Sequence, residues 1–360
     1  MHSSLRPVPA SPHVQLADAL EPLREQWSPL AEASRNLFAT WEWNALWWKH
    51  FGRERPLQVR VVGAEGGEAR AIVPLFVWKE RPFRVLRLIG HGHGDLLGPI
   101  CSSEDRELGY EALEAALAAE SPDLFVGDWL AGDLHWASVF GGTVVRTTGY
   151  PILRFEHPSW DEFVASRGTS HRKAIRYYPR RLARDHDVEY RQSDDPATLQ
   201  QDLDEAFRLH AIRFGKHAGC LFCGPSEAFQ REFAAAALER GWLRLLLLYV
   251  NGTAVAAEYG FRYGNAYFSY QGGRDPAWDR LSVGFVVEVE SIRRALDEGI
   301  REYRFLEGEE GYKYRFPTED PRLETVAIPR TRKGRALVSG VEAIRRVPPG
   351  KALIGRLASR

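Results

Sequence analysis

Residues 243–316 limit what this chain can fold into more than any other stretch. Leu243 to Val250, Val255 to Phe261 and Ala266 to Gln271 are apolar runs of strand length. The first two are separated by Asn251-Gly252, a dipeptide suited to a two-residue turn with positive φ at both positions. An antiparallel meander is the expected result. Beyond the loop Tyr270 to Gly284, Phe285, Val289, Ile292 and Leu296 share one helical face, Gly299 supplies a stop, and Tyr303 to Leu306 reads as a further buried strand.

The loop between meander and helix has a chemical use. The first N–H groups of a helix have no intrahelical partners, and with the positive end of the helix dipole they form an anion site. Ser282 is placed to cap the helix, Gly284 lets a ligand approach the backbone, and Arg274 and Arg280 add positive charge around it. A pyrophosphate fits such a site, and so does a plain Asp-Pro turn followed by a capped helix.

Three strands, loop, helix and strand in this order resemble the acyl-CoA-binding core of the GNAT acyltransferases. Trp242-Leu-Arg-Leu, Asn251-Gly-Thr-Ala-Val-Ala, Tyr270-Gln-Gly-Gly-Arg-Asp-Pro, Ser282-Val-Gly and Phe305-Leu-Glu-Gly-Glu-Glu-Gly-Tyr-Lys are similar to the CelD/BcsL-type, FemAB-like branch. The resemblance covers residues 160–316 well and the first half more loosely. It implies an acyl-CoA donor, acetyl-CoA foremost, with Gln271, Arg274, Asp275, Arg280, Ser282, Val283 and Gly284 around it. It also implies Lys313, from the Tyr-Lys pair, as the charge that faces the developing oxyanion. Arg304 and Glu307 depart from the family pattern, which has an aspartate before the Phe-Leu and an arginine after it.

Acyl transfer to an amine needs a neutral nucleophile, donors for the oxyanion and an acid for the leaving group. Glu258, in the second strand of the meander, is the candidate base. Tyr312 or Tyr270 can protonate the leaving thiolate. Tyrosines in strands also serve simply as packing residues, and a strand glutamate can face solvent.

The chain length, 360 residues, argues for two domains. The first half carries a Thr40-capped helix with Trp43, Leu46, Trp47 and Phe51 on one face, read as core. Strands follow at 57–62, at 69–77 with Pro74 marking an edge or bulge, and at 85–89; then come a helix over 106–119 and a strand at 124–126. This is the same order of elements as in the second half. The expected fold is therefore α/β, two tandem GNAT-like domains with mixed, mostly antiparallel sheets flanked by helices, the second with the intact acyl-CoA core. The boundaries expected are an extension over 1–35, a degenerate domain over 36–155, the acyltransferase domain over 156–330 and a basic tail over 331–360.

Other features widen the choice of partner. His91, His93 and Asp95 alternate and suit a metal, or form a glycine-rich loop at the place of the phosphate loop. Cys220 and Cys223, with His217 nearby, suit a reduced pair better than zinc, and no metal is expected. Arg172, Arg176, Arg180 and Arg184 form a stripe on a helix that Pro179 should kink or break; Arg176 and Arg180 are candidates for a phosphate-bearing partner such as tRNA or an acyl-carrier protein. The helix expected from Ala197 to Phe214 presents His210 and Arg213 toward the acceptor. Lysine plus arginine equals aspartate plus glutamate, 48 each, so nucleic-acid binding would need a local patch. The basic tail after Pro329 can lie free or touch an anionic membrane, and with no run of membrane-spanning length a cytoplasmic location is expected. Three readings follow: an acyl-CoA-dependent N-acyltransferase, an aminoacyl-tRNA-dependent transferase, and a non-catalytic binding module on the same scaffold.

Overall fold

The computed structural model describes residues 13–52, 54–63, 67–80, 82–215 and 220–346. The chain forms two compact units. The first takes the described residues up to Leu130, Trp136–Val144 and Thr325–Gly340; the second takes Ala131–His135, Val145–Glu324 and the described residues from Val341.

In chain order the elements of the first half are β1 (His13–Ala17), α1 (Arg24–Ser34), α2 (Trp41–Phe51), β2 (Val59–Gly63), β3 (Ala69–Val73), β4 (Leu75–Glu80) and β5 (Phe83–Leu88). Then come β6 (Ile100–Cys101), α3 (Arg106–Glu120), β7 (Leu124–Ala131), α4 (Trp136–Val139) and β8 (Thr143–Thr148). The second half begins with β9 (Ile152–Arg154), α5 (Trp160–Ser166), α6 (Thr169–Asp185), β10 (Val188–Gln192), α7 (Leu199–Phe214) and α8 (Pro225–Glu239). It continues with β11 (Leu243–Val250), β12 (Thr253–Tyr263), β13 (Ala266–Arg274), α9 (Val283–Asp297), β14 (Glu302–Arg304), β15 (Leu323–Pro329) and α10 (Arg332–Arg346).

Two sheets carry the first unit, one in the order β1-β2-β3-β6, the other in the order β4-β5-β7-β15-β8. Pro74 explains the division. A single strand is expected over 69–77, but proline lacks the N–H that a ladder needs, and the chain leaves one sheet for the other there. The aromatic face of α2 is core as expected: Trp43 and Trp47 are buried and the Thr40 hydroxyl accepts from Trp43 N–H at 3.3 Å. From His13 on, the expected N-terminal extension packs into this unit, because β1 pairs antiparallel with β2 along its whole length. The tail is likewise engaged at its start: Lys333 donates to the Pro82 carbonyl and lies 3.4 Å from Asp123, and Val338 is buried.

The histidine loop of the first unit does not gather ligands. His91 Nδ1 lies 2.5 Å from Asp128 Oδ2, which Arg87 also binds at 3.1 Å, while the His93 ring stacks on Phe51 at 4.4 Å. Burial pulls His93 down to about 4. Among the described residues no group of histidine, cysteine and acid side chains could hold a metal ion. No helix of the described residues is long and apolar enough to cross a membrane.

One six-stranded sheet, β10-β11-β12-β13-β14-β9, forms the centre of the second unit. The meander is as expected: β11 pairs antiparallel with β12 and β12 with β13, and Asn251 and Gly252 have φ of 51° and 77° at the hairpin tip. β14 joins β13 in parallel and β9 in antiparallel pairing, so Ile152–Arg154 belong to this unit and the domain boundary lies earlier than the expected 155/156. On one face α9 buries Val283, Val286 and Val287 against Leu246, Leu248 and Val255, and Ile292 against Leu153, Tyr267 and Tyr303. The other face is covered by α7 and α8; Phe233 of α8 meets Phe261, and Phe207 of α7 meets Tyr259. Helix α6 runs through Pro179 without ending, so of the expected kink or break the break does not occur. Cys220 and Cys223 are joined in a disulfide rather than held as a reduced pair.

Candidate active site

The site begins where β13 loses its neighbour. Parallel pairing with β14 covers only Ala266–Phe268 against Glu302–Arg304, and beyond it Ser269–Arg274 has no strand on that side among the described residues. A cavity of about 810 Å³ opens along this edge, within the second unit. Ser269, Gly272, Gly273 and Arg274 supply one wall. Ser282, Gly284, Phe285 and Glu288 supply another, from the end of the loop and the first two turns of α9.

A bulge in β13 decides which side chains reach this space. Tyr259 pairs with Gln271 and Gly260 with Ser269, so Tyr270 is the extra residue. Ser269 and Gly272 thereby share the cavity face, while Tyr270 and Gln271 turn toward α8 and α7. The Tyr270 hydroxyl accepts from Gln230 Nε2 at 3.0 Å, and Gln271 Oε1 lies 3.2 Å from His210 Nε2. These three expected site residues, Tyr270, Gln271 and His210, are therefore on the far side of the sheet from the cavity.

Helix α9 offers its N-terminus to the cavity. Its ladder opens with Val286 N–H to the Ser282 carbonyl at 3.0 Å, so the N–H groups of Val283, Gly284 and Phe285 precede it. Ser282 stands at the cap position with φ of 53°, and its side chain makes no capping bond, contrary to expectation. A Cβ at Gly284 would stand 3.0 Å from Arg274 Cδ, so glycine is what leaves this approach open. Arg274 lines the cavity and is held by Asp279, Nε to Oδ1 at 2.6 Å. Asp275 caps the preceding 3-10 turn by accepting from Ala277 N–H at 2.9 Å; Arg280 is exposed outside the cavity lining, and Val283 is buried in the core beneath it.

Two carboxylates enter the cavity from different elements. Glu258 of β12 sits opposite Gly272, is only 6% exposed, and accepts from the Ser269 hydroxyl and from Tyr303 Oη, the latter at 3.4 Å. Burial raises it to about 7, against the Ser269 bond and the charge of Arg213. Glu288 of α9 is 7% exposed, and burial together with the charge of Glu258 raises it to about 8. Glu288 is the principal residue that sequence reasoning passes over. The signal was a lone acid inside Phe285-Val-Val-Glu-Val, one position beside an apolar helical face.

Cations stand around this pair. Arg213 of α7 reaches the cavity, donates to the Gly272 carbonyl at 3.4 Å and lies 4.8 Å over the Tyr312 ring. Tyr312 and Arg315 line the cavity as well, and burial pushes the Tyr312 phenol well up from its ordinary value. Lys313 is held elsewhere: its amine donates to the Glu307 carbonyl and lies 3.5 Å from Glu310, outside the cavity lining. Arg304 is bound to Glu302 at 2.7 Å and Glu307 to Arg146 at 3.2 Å. Arg176 and Arg180 line a separate depression of about 280 Å³ between α6 and α9, with Tyr190, Glu290 and Arg293.

A meander, a bulged strand that parts from its parallel neighbour, and a helix N-terminus at the parting define the class: a mixed α/β protein of two GNAT-like domains. Residues 169–314 of the second unit match the family model described as acetyltransferase (GNAT) domain. None of the curated proteins matches the chain in sequence. Among solved structures, FemX is similar over 85% of this chain and 96% of its own, with TM-score 0.59 and 11% identity. The C-terminal domain of a putative lysylphosphatidylglycerol synthetase from Agrobacterium fabrum is similar over 89% and 96%, with TM-score 0.57 and 12% identity. A tandem GNAT protein from the clavulanic acid biosynthesis pathway covers 89% of this chain and 99% of its own, with TM-score 0.51 and 11% identity.

Proposed function

We propose that the second unit is an N-acyltransferase that moves an acyl group, acetyl foremost, from acyl-CoA to an amine. The observation that carries this reading is the cavity itself: an unpaired strand edge, a glycine-opened helix N-terminus and a buried acid meet in one space. The N–H groups of Val283, Gly284 and Phe285, with Arg274 beside them, suit a pyrophosphate. The free edge of Ser269–Arg274 offers backbone donors and acceptors to the amide-bearing arm of a CoA thioester, much as a strand would. The thioester carbonyl then lies near Glu258 and Tyr312.

Glu258 accepts a proton from the attacking amine, and a carboxylate raised to about 7 is matched to that task near neutral pH. The nitrogen–carbon bond forms as the carbon–sulfur bond breaks, and Tyr312 supplies the proton that the thiolate takes. Lys313, the charge expected at the oxyanion, acts in this reading through the segment that it ties to Glu307 rather than by direct contact. Arg213 and Arg315 are the cationic groups that line the space.

The test is donor binding. Gly284→Asp puts a side chain and a negative charge into the anion site and should abolish CoA binding in calorimetry, with the melting temperature retained. Unchanged affinity refutes the placement. An aminoacyl-tRNA donor is favoured by one separate observation, the exposed Arg176 and Arg180 beside Arg293 around the second depression. FemX and the synthetase domain share the fold. Salt-dependent tRNA binding lost on reversal of both arginines to glutamate would support that reading over CoA.

A further inference from the structure

The connection from α7 to α8 carries a chemistry that acyl transfer leaves unused. Cys220 and Cys223 are joined there, while the third cysteine of the chain, Cys101, is a buried free thiol in the first unit. Inside the small ring that the disulfide closes, Phe222 turns into the core. It stacks on Phe207 at 4.1 Å and meets His210 edge-on at 4.7 Å and Tyr259 at 5.8 Å. Phe207, His210 and Arg213 follow one another along one side of α7. His210 is tied to Gln271, and Arg213 reaches the cavity and donates to the Gly272 carbonyl at 3.4 Å. The ring thus bears on the last two turns of α7, and these turns deliver a guanidinium to the stretch of β13 that has no strand beside it.

We propose that Cys220 and Cys223 form a reversible dithiol–disulfide couple, exchanged with a dithiol reductant, that sets through Phe222 whether Arg213 occupies the open edge of β13. Its effect on donor binding rests on the acyl-transfer reading. Cys223 is partly exposed and Cys220 buried, so a thiolate of the reductant attacks Cys223 Sγ. A mixed disulfide forms as the bond to Cys220 breaks, and Cys220 leaves as a thiolate that takes a proton. The second thiolate of the reductant then attacks the reductant's own sulfur in the mixed disulfide, and Cys223 leaves in the same way. The protein gains two electrons and two protons and the reductant departs as a disulfide; exchange with such a disulfide closes the ring again. Two thiols need a van der Waals separation that a bond does not, so reduction spreads the ends of the ring. Phe222 already lies face to face with Phe207 and has no room to move inward, so the segment retreats from α7. The last turns of the helix lose their support and Arg213 leaves Gly272, whose carbonyl is then open to the amide-bearing arm of the donor. The closed ring is the restrained form, and the open one takes CoA.

The experiment uses the whole protein in two states, one poised with oxidised glutathione and one with dithiothreitol. Alkylation after denaturation should label Cys101 alone in the first state and all three cysteines in the second, and a return to oxidised glutathione should restore the first pattern. Hydrogen exchange at the amides of His210–Phe214 should quicken about tenfold or more on reduction. In calorimetry the reduced protein should bind CoA about tenfold more tightly than the oxidised one, and Arg213→Gln should bind it alike in both states. Joint replacement of Cys220→Ser and Cys223→Ser should reproduce the reduced protein. A pair that does not close in the folded protein, equal exchange in the two states, or CoA affinity that reduction leaves equal or lowers overturns the proposal, as does a redox dependence that survives in Arg213→Gln. Quickened exchange on reduction with no CoA bound in either state refutes the acyl-transfer reading alone and supports the couple. The wild-type protein in its two states decides the matter even if the serine variant does not fold.

Discussion

Replacing Glu288 with glutamine should make the protein more stable, and increasingly so as the pH rises. Burial and the neighbouring Glu258 raise Glu288 from an ordinary 4.5 to about 8. The folded state therefore holds this proton more tightly than the unfolded chain does. Below about pH 4.5 both states are protonated and nothing is gained or lost. Between 4.5 and 8 the unfolded state releases its proton first, so stability falls as pH rises, and above 8 the whole cost is present. At about 1.4 kcal/mol per tenfold change in proton affinity, the interval corresponds to roughly 5 kcal/mol. Glutamine does not titrate and escapes this loss. Glu258 continues to titrate in the variant, so its pH dependence is reduced rather than removed, and a gain relative to wild type of about 4 kcal/mol between pH 5 and pH 9 is expected. For a unit of this size that is about 8 °C or more in melting temperature. Thermal melts of wild type and Glu288→Gln at matched ionic strength across the range measure it. Curves that run parallel with pH would show that Glu288 is not buried in its charged form, and the cavity floor would have to be redrawn.

The pH profile of turnover should move the opposite way: with Glu258 as base, kcat/KM rises through about pH 7 and Glu258→Gln flattens the rise, whereas an unchanged profile removes it from that role. Tyr270→Phe should leave turnover and donor affinity within about twofold of wild type, because its hydroxyl serves Gln230 on the far face; a loss of a hundredfold would return it to the mechanism. Gly273→Ala should destabilise the second unit by about 1–3 kcal/mol in urea unfolding, since the added Cβ would stand 2.5 Å from His210 N in α7.

The reach of sequence reasoning here can be traced to one backbone detail. The meander was legible because Asn251-Gly252 fixes the first turn, and α9 because its apolar face repeats correctly and Gly299, with φ of 75°, ends it. From these, the strand–loop–helix crossing and the place of Arg274, Ser282 and Gly284 follow. Face assignments along β13 do not. Alternation places Gln271 on the same face as Ser269, but the bulge at Tyr270 inserts one residue and reverses the parity beyond it. Gln271 turns to His210 and the side-chain-free Gly272 takes the cavity position opposite Glu258. The same residue count that removes two expected groups thus leaves room for Arg213 and the Glu258 carboxylate, each 3.5 Å from where a Gly272 Cβ would stand. Glu288 escaped for a different reason. Helical periodicity marks the stripe Phe285, Val289, Ile292, and an acid one position off that stripe reads as its solvent border. The border here is a cavity wall because β13 and β14 part, and that parting rests on a parallel pairing only three residues long. A short parallel ladder leaves no mark in composition or periodicity. It can be recognised only once both strands are in place, and the site it opens was for that reason the last thing the sequence could yield.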